Sequence, residues 1–599
     1  MNKFTKQCVA AVASLAMAGT LCVAGAVVAG SSAWATPSVV GGDDTTLAKG
    51  QIGVAVDSGT ANYKTAPWNT GAPTSGSITI YKWKNETDKT GNQKKATPVA
   101  GAGFTLKKIK SIGGTELKLN EYTSWSTITK NVEKLNAGAI STTDETGKVK
   151  VAYDDTFTLG EGKTNKNGVV QFKDLPLGLY QVQETTVPSG YSAADGGKAF
   201  YMTLPAIEKV TTNNVGAVKT ETKYNYAPFV DPKNTDQSGS VTKTQNLTHT
   251  VGAGDTIEYT IKAKLDKSKA AKNSPDFKED DFQGYTIFDL APSEYFDKYD
   301  SSVVAEVKVG ETDLKATQDK TYYTVGAAED VAAPADKSDV ARKKIKIEFT
   351  ADGRAKLAEE VNKDANVGKA VYVTVRFKFT LKDSATLKTD KVTNKASVIP
   401  SHVPGTNVPE IPADTPPSTD FATFKIKKVS SKDQTALGGA KFRLFAVQAD
   451  ATACTNAIKA GTTGEDLDKV CKNKSSVGFG EKTTATETKE NVSTLGETEA
   501  YSVKRGTAFY VVETEAPAGY IRNPDVHSVT VEAAKTEYTL PVENVPGPGL
   551  EGGKSWLFNL PKTGAAGVII FALAGVCLVC FGIFVFMRNR KKDEEQQAA

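Results

Sequence analysis

The sequence predicts an all-β protein of three tandem β-sandwich domains, and three observations predict it. Short runs such as Ser77-Ile-Thr-Ile-Tyr-Lys-Trp83 and Val371-Tyr-Val-Thr-Val-Arg-Phe-Lys-Phe379 alternate with period two, as strands with one face on a core and one in water do. Gly, Asn, Asp and Pro separate many such runs, the pattern of sandwiches. The chain has 599 residues, more than one hydrophobic core serves. One helical stretch, around Asp352 to Asn362, interrupts the β pattern.

Residues 1–35 read as an export signal. Lys3 and Lys6 supply a positive start, Cys8 to Gly30 is almost wholly apolar, and Ala33-Trp34-Ala35 offers the small residues of a cleavage site after Ala35. Residues 36–75, rich in Gly, Thr, Ala and Ser, read as an irregular N-terminal extension.

An internal repeat sets the domains. Tyr180-Gln-Val-Gln-Glu184-Thr-Thr-Val-Pro188-Ser-Gly190-Tyr191 recurs as Phe509-Tyr-Val-Val-Glu513-Thr-Glu-Ala-Pro517-Ala-Gly519-Tyr520. Upstream, Val99-Ala-Gly-Ala-Gly-Phe104-Thr-Leu106 matches Leu437-Gly-Gly-Ala-Lys-Phe442-Arg-Leu444, and Ile80-Tyr-Lys82-Trp matches Ile426-Lys-Lys428-Val. Three matches in one order mean two copies of one domain, 76–234 and 420–547. A differently patterned domain occupies 235–404, followed by a stiff Pro-rich linker over 405–419.

The C-terminus has three parts: a spacer and Leu560-Pro561-Lys562-Thr563-Gly564 over 548–564, an uncharged run over 565–587, and a tail over 588–599 led by Arg588, Arg590, Lys591 and Lys592. The run is long enough to cross a bilayer, and the basic residues would stay cytoplasmic. Cys8 and Cys22 lie in the signal and Cys577 and Cys580 in the apolar run. Cys454 and Cys471 remain for the exported part, where a disulfide is favoured over a metal or redox site.

Several function classes find no support. A formal net charge of +4 gives no footprint for nucleic acid. His249, His402 and His527 lack metal-ligand spacing, and there is no Gly-rich phosphate loop or Ser nucleophile elbow, so no cofactor is expected.

The C-terminal arrangement resembles the sorting signals of sortase substrates. The repeated Glu184 and Glu513 blocks resemble the E-box of Gram-positive pilins, and their domains resemble the CnaB type of Ig-like sandwich. The middle domain resembles the CnaA-like domain of the same proteins. The whole thus resembles a sortase-assembled major pilin, the shaft subunit of a covalent pilus. That resemblance implies three CnaB-, CnaA- and CnaB-like Ig domains and sortase cleavage between Thr563 and Gly564. It also implies internal Lys–Asn isopeptide bonds, each formed once and spontaneously beside a carboxyl group, in a chain that is otherwise no enzyme.

The chemistry of such a bond is demanding. An amide is a poor electrophile and an ammonium no nucleophile. Burial disfavours the ammonium and raises a carboxyl pKa, so the neutral amine and protonated acid become accessible together. The acid then polarises the Asn carbonyl, and proximity replaces a bimolecular encounter. The last domain offers Lys428, Asn544 and the acid Glu513. Lys428 is chosen over Lys427 because it shares the apolar face of Phe424 and Ile426. The middle domain offers Lys243, Asp289 as acid, and Asn394. In the first, Lys82 and Glu184 occupy matching positions, with Asn234, Asn225 or no residue as acceptor. Without the resemblance, each lysine reads as solvent-facing and each asparagine as a loop residue.

Tyr224-Asn-Tyr-Ala-Pro-Phe-Val230-Asp-Pro232-Lys233-Asn234 resembles the pilin motif, whose lysine attacks the sortase-bound threonyl group of the next subunit. It departs from the pattern at Tyr224, where Trp is usual, and at Asp231, where Tyr is usual. The resemblance makes Lys233 the polymerising nucleophile and Thr563 its acyl partner. The expected partners are a pilin-specific sortase, identical subunits head to tail, minor tip or base pilins, a housekeeping sortase with the cell-wall peptide, and a host surface ligand. The chain is expected on the cell surface as a wall-anchored fimbria, held in the membrane before sortase cleavage, and supporting adhesion. The alternative is a monomeric wall-anchored adhesin that uses its sorting signal once.

Overall fold

The computed structural model describes residues 37–42, 62–87, 93–193, 197–214, 217–267, 276–382, 387, 391–490, 493–547 and 575–588. The signal 1–35 and the sorting motif Leu560 to Gly564 lie outside the described residues. So do 565–574 of the apolar run and the tail beyond Arg588. The remainder of that run is helical over 575–588. Among the described residues no helix is long and apolar enough to cross a membrane.

Two compact units divide the chain, 1–421 and 422–599. The first unit opens with two facing sheets. One has the order Ser38–Val40, Val169–Pro176, Ser75–Tyr81, Phe229–Val230; the other runs Phe200–Leu204, Gly178–Thr186, Gly103–Ile112, Val149–Tyr153, Ile140–Ser141. Alternation puts Ile78, Ile80, Phe104, Leu106, Val170, Phe172, Tyr180 and Val182 inside, where they form one core. The N-terminal extension is not wholly irregular. Ser38–Val40 pairs antiparallel with Gln171–Lys173, and Tyr63–Lys64 with Tyr224–Asn225. Its Gly and Thr content hides these short edge strands.

A helix absent from the sequence reading, Tyr122–Asn136, packs across this module. Trp125, Ile128, Val132 and Leu135 recur at helical spacing and are buried. With Ile109, Ile112, Leu119 and Val151, three of the four build a second small core.

The second module of this unit also has two sheets. One has the order Val241–Asn246, Thr256–Lys264, Tyr372–Thr380, Val304–Val309, Thr312–Asp313. The other runs Tyr323–Val325, Arg342–Phe349, Thr286–Pro292, Lys395–Ile399, Ile411–Pro412. The helix Ala351–Asn362 falls where the sequence placed it, started by Thr350, whose side chain accepts from the Gly353 amide. The Pro-rich stretch is less free than a linker: Ile411–Pro412 adds an edge strand to Ser397–Val398, and Asn407 exchanges backbone bonds with Thr185 and Val187. Proline is tolerated there because an edge strand need not donate on its outer side.

In the second unit the long strand Ser418–Ser430 runs parallel to Glu537–Pro546 from Thr423 onward. A second sheet has the order Lys482–Thr483, Lys441–Phe445, Phe509–Glu515, His527–Val529. Two further unforeseen helices, Gln448–Lys459 and Gly464–Val470, form an insertion. A Cys454–Cys471 disulfide ties them together, with Cα atoms 4.8 Å apart, and the bridge packs on Phe445, Ala451 and Val512.

Candidate functional site

Three buried Lys–acid–Asn sets are assembled, one in each sandwich. In the last domain Phe424, Ile426 and Lys428 point inward while Lys427 is exposed. Lys428, Glu513 and Asn544 are all essentially shut off from solvent. Lys428 Nζ donates to Asn544 Oδ1 in a very short contact and lies 3.3 Å from Glu513 Oε2. Asn544 Nδ2 donates to Glu513 Oε1 at 2.8 Å. The carboxylate therefore touches both the lysine nitrogen and the amide nitrogen.

In the first domain, Lys82 Nζ donates to Glu184 Oε2 at 2.8 Å and Asn234 Nδ2 to Glu184 Oε1 at 2.7 Å. Of the candidate acceptors, Asn234 is the one brought to the acid; Asn225 instead donates to Glu208 Oε1 at 2.9 Å. The two repeats share a register. Asn234 pairs in parallel with Lys84, two residues beyond Lys82, and Asn544 pairs with Ser430, two residues beyond Lys428. Across the other sheet, Glu184 stands opposite Phe104 and Glu513 opposite Phe442. Those two phenylalanine rings lie 5.4 and 5.7 Å from the lysine Nζ atoms, closing the apolar side. The repeat already paired Phe104 with Phe442, so this contact had a signal in the sequence.

The middle set comes from a different topology. Lys243 Nζ donates to Asp289 Oδ2 at 2.5 Å and to the Lys395 carbonyl at 2.9 Å. Its ammonium sits 5.0 Å from the Tyr259 ring centroid. Asn394 is fully buried, and neither its amide oxygen nor its amide nitrogen meets a hydrogen-bond partner among the described residues. It still lies close enough to Asp289 to help lower that carboxyl's pKa.

Burial shifts the three lysines toward the neutral amine and two of the acids toward the protonated carboxyl. Burial drives Lys428 and Lys243 each down to about 8, against the pull of Glu513 and Asp289. Burial also lowers Lys82 and raises Glu513 and Asp289, with the facing lysines opposing the rise. For Glu513 the backbone amide of Asn523, 2.7 Å from Oε2, opposes it as well. Arg522 fixes the strand behind by donating to the Glu513 carbonyl at 2.8 Å. Neither Asn523 nor Arg522 has a counterpart in the repeated motif, which is why the sequence did not single them out.

Lys233 is set apart from these clusters. It opens the strand Lys233–Asp236, pairs with Trp83, and is half-buried. Its pKa is lowered by burial and by the Lys95 cation, with Asp231 opposing. Asp231, the departure from the motif, is a half-buried anchor: it accepts from Trp83 Nε1 at 3.0 Å and from Lys95 Nζ at 2.5 Å. Tyr224, the other departure, packs edge-on against Trp68 at 5.4 Å.

The prealbumin-like fold domain of the SpaA family matches residues 84–216 and 422–546, and the LPXTG cell wall anchor motif matches 557–594. A type 1 fimbrial subunit of Actinomyces viscosus is 26% identical over 536 residues, covering 84% of this chain and 87% of its own. The repeated domain, the anchor and the fimbrial relative together support a sortase-assembled major pilin of Gram-positive bacteria. Among solved structures, the full-length major pilin SpaD of Corynebacterium diphtheriae is 21% identical over 80% of this pilin and 99% of its own chain, with a TM-score of 0.45. The major pilin SpaA of the same organism is 19% identical over 78% and 100%, with a TM-score of 0.43. The anchor places this pilin on the cell wall, as a subunit of a surface fimbria.

Proposed function

We propose that this pilin is the shaft subunit of a covalent fibre in which Lys233 of one subunit is acylated by Thr563 of the next. In each subunit the three buried sets close as Lys82–Asn234, Lys243–Asn394 and Lys428–Asn544 amides. The single observation that carries the reading is the recurrence of a buried lysine, acid and asparagine in all three sandwiches, twice in one register. In each set the neutral amine attacks the Asn side-chain carbon, the C–N bond to the amide nitrogen breaks, and ammonia leaves. Glu184, Asp289 or Glu513 gives a proton to the leaving nitrogen and takes one from the attacking amine, ending as it began.

Lys233 has a different task. A lysine meant for intermolecular attack must reach an enzyme thioester, and its partial exposure suits that. Its neighbour Asn234 belongs to the first internal set, so load arriving at Lys233 would pass directly into the Lys82 strand through covalent bonds. Head-to-tail contacts that do not close generate filaments. The partners are then a pilin-specific sortase, identical subunits, tip or base pilins, and a housekeeping sortase that joins the base to wall peptide.

Immunoblots of wall extracts test this. The shaft predicts a detergent-resistant ladder that collapses to one band in Lys233→Ala. A single wall-linked band in the wild type would instead assign a monomeric adhesin.

A further inference from the structure

The middle set contains a fourth residue that neither the repeat nor the motifs single out. Arg342 is 3% exposed, an uncommon place for a guanidinium. Its Nη1 donates to the Leu290 carbonyl at 2.8 Å and to the Thr393 carbonyl at 3.0 Å. Its Nε and Nη2 donate to Asp339 at 2.9 and 2.6 Å. Lys395 Nζ holds the same Asp339 carboxylate at 2.8 Å. Leu290 follows Asp289 in the chain, and Thr393 precedes Asn394. One nitrogen thus ties the segment bearing the acid to the segment bearing the acceptor.

The topology explains why this domain needs such a tie. In the last sandwich the acceptor lies on a strand parallel to the one bearing the lysine, and in the first on a strand parallel to Trp83–Lys84, which follows the lysine directly. Asn394 instead falls in the break between Lys391–Thr393 and Lys395–Ile399, and the ladder beside Asp289 ends at the pair Leu290–Lys395. Among the described residues no hydrogen bond of ordinary geometry fixes the Asn394 side chain, so the placement of its backbone weighs directly on where its carbonyl carbon sits. As a charge, Arg342 disfavours the Lys243 ammonium but favours the Asp289 carboxylate. These two influences oppose each other in forming the neutral pair, which leaves geometry as its contribution.

We propose that Arg342 is a positioning residue for the Lys243–Asn394 cross-link, clamping Leu290 to Thr393 so that the Asn394 amide is held against Lys243 and Asp289 before the bond forms. The inference rests on the cross-link proposed above. The step itself is balanced: Lys243 Nζ gains the acyl carbon and loses a proton, Asn394 Nδ2 leaves as ammonia, and Asp289 returns to its starting state. Arg342 exchanges no proton.

The test is a time course of ammonia loss at the 243–394 peptide pair during cell-free synthesis of the full-length chain, with the 428–544 pair followed as internal control. Arg342→Lys keeps the charge but lacks the planar fork. It is expected to slow the first-order rate at 243–394 by about tenfold or more, since small misplacements cost that much. The reaction should still reach completion, with an unchanged pH profile and a normal rate at 428–544. A wild-type rate in Arg342→Lys overturns the proposal. So does a lowered final yield at normal rate, which reports misfolding. Should Arg342→Lys not fold, Asp339→Asn, which frees the guanidinium from its anchor, decides by the same readout. Failure of the wild type to lose ammonia at this pair would overturn the cross-link itself, and Arg342's role with it, whereas a slowed variant beside a normal wild type tests the clamp alone.

Discussion

Asn544→Ala removes the electrophile of the last domain and leaves the Lys428–Glu513 pair in place, so no buried charge loses its ionic partner. Lys428 and Asn544 are 116 residues apart in sequence. Closing a loop of that length restricts the unfolded chain by about 5 kcal/mol in the chain-entropy model. The domain matched over 422–546 has an unfolding entropy of about 0.26 kcal/mol/K at the usual value per residue. The loss therefore lowers its Tm by about 20 °C, far more than a surface Asn→Ala change gives. Scanning calorimetry of the full chain reads this as one transition moving down while those of 1–421 hold. Intact mass must show at the same time that the variant retains one ammonia more than the wild type. A wild type lacking that ammonia, paired with a variant whose transition does not move, would refute the loop-closure reasoning while leaving the bond intact.

Glu513→Gln and Asp289→Asn keep size and burial but end proton relay; each should retain one ammonia by intact mass. The pH dependence of bond closure follows from proton counting. Neutral amine beside protonated acid holds the same number of protons as the ion pair, so the rate should be level across neutral pH. It should fall above about 8, where Lys428 loses the last shared proton, and fall again in acid once Glu513, its carboxyl raised by burial, takes a second. A rate climbing steadily beyond pH 9 in a quenched time course would contradict this. Lys233→Ala should abolish the ladder yet leave the internal mass deficit unchanged, because its amine joins none of the buried sets. Cys454→Ser with Cys471→Ser opens a loop whose ends are 17 residues apart. It should cost about 3 kcal/mol in the second unit without altering bond closure.

Much of the fold was legible because the strands obey period two and the repeat marks equivalent positions. Lys428 was separable from Lys427 by strand phase alone, and it is the buried one. What stayed hidden were insertions. Trp125, Ile128, Val132 and Leu135 do have helical spacing, but the surrounding Thr and Ser residues read as strand or loop until Leu119 and Ile109 supply a face to pack on. The edge strands Ser38–Val40 and Ile411–Pro412 are too short for any periodicity to register. In the first domain, sequence could not choose between Asn225 and Asn234, since both sit in polar stretches near the motif. The parallel pairing with Lys84 turns only Asn234 toward Glu184. The basic run Arg342-Lys343-Lys344 reads as a solvated face, yet Arg342 is buried, and the two carbonyls it ties together carry no residue identity.

Tandem mass spectrometry of peptides digested from wall-extracted fibres tests the central claim most directly. The account predicts a branched peptide in which the Lys233 side-chain nitrogen carries the chain ending at Thr563, together with Lys–Asn branches at 82–234, 243–394 and 428–544. An unmodified Lys233 in fibre-derived peptides, with Thr563 joined only to wall peptide, would contradict it.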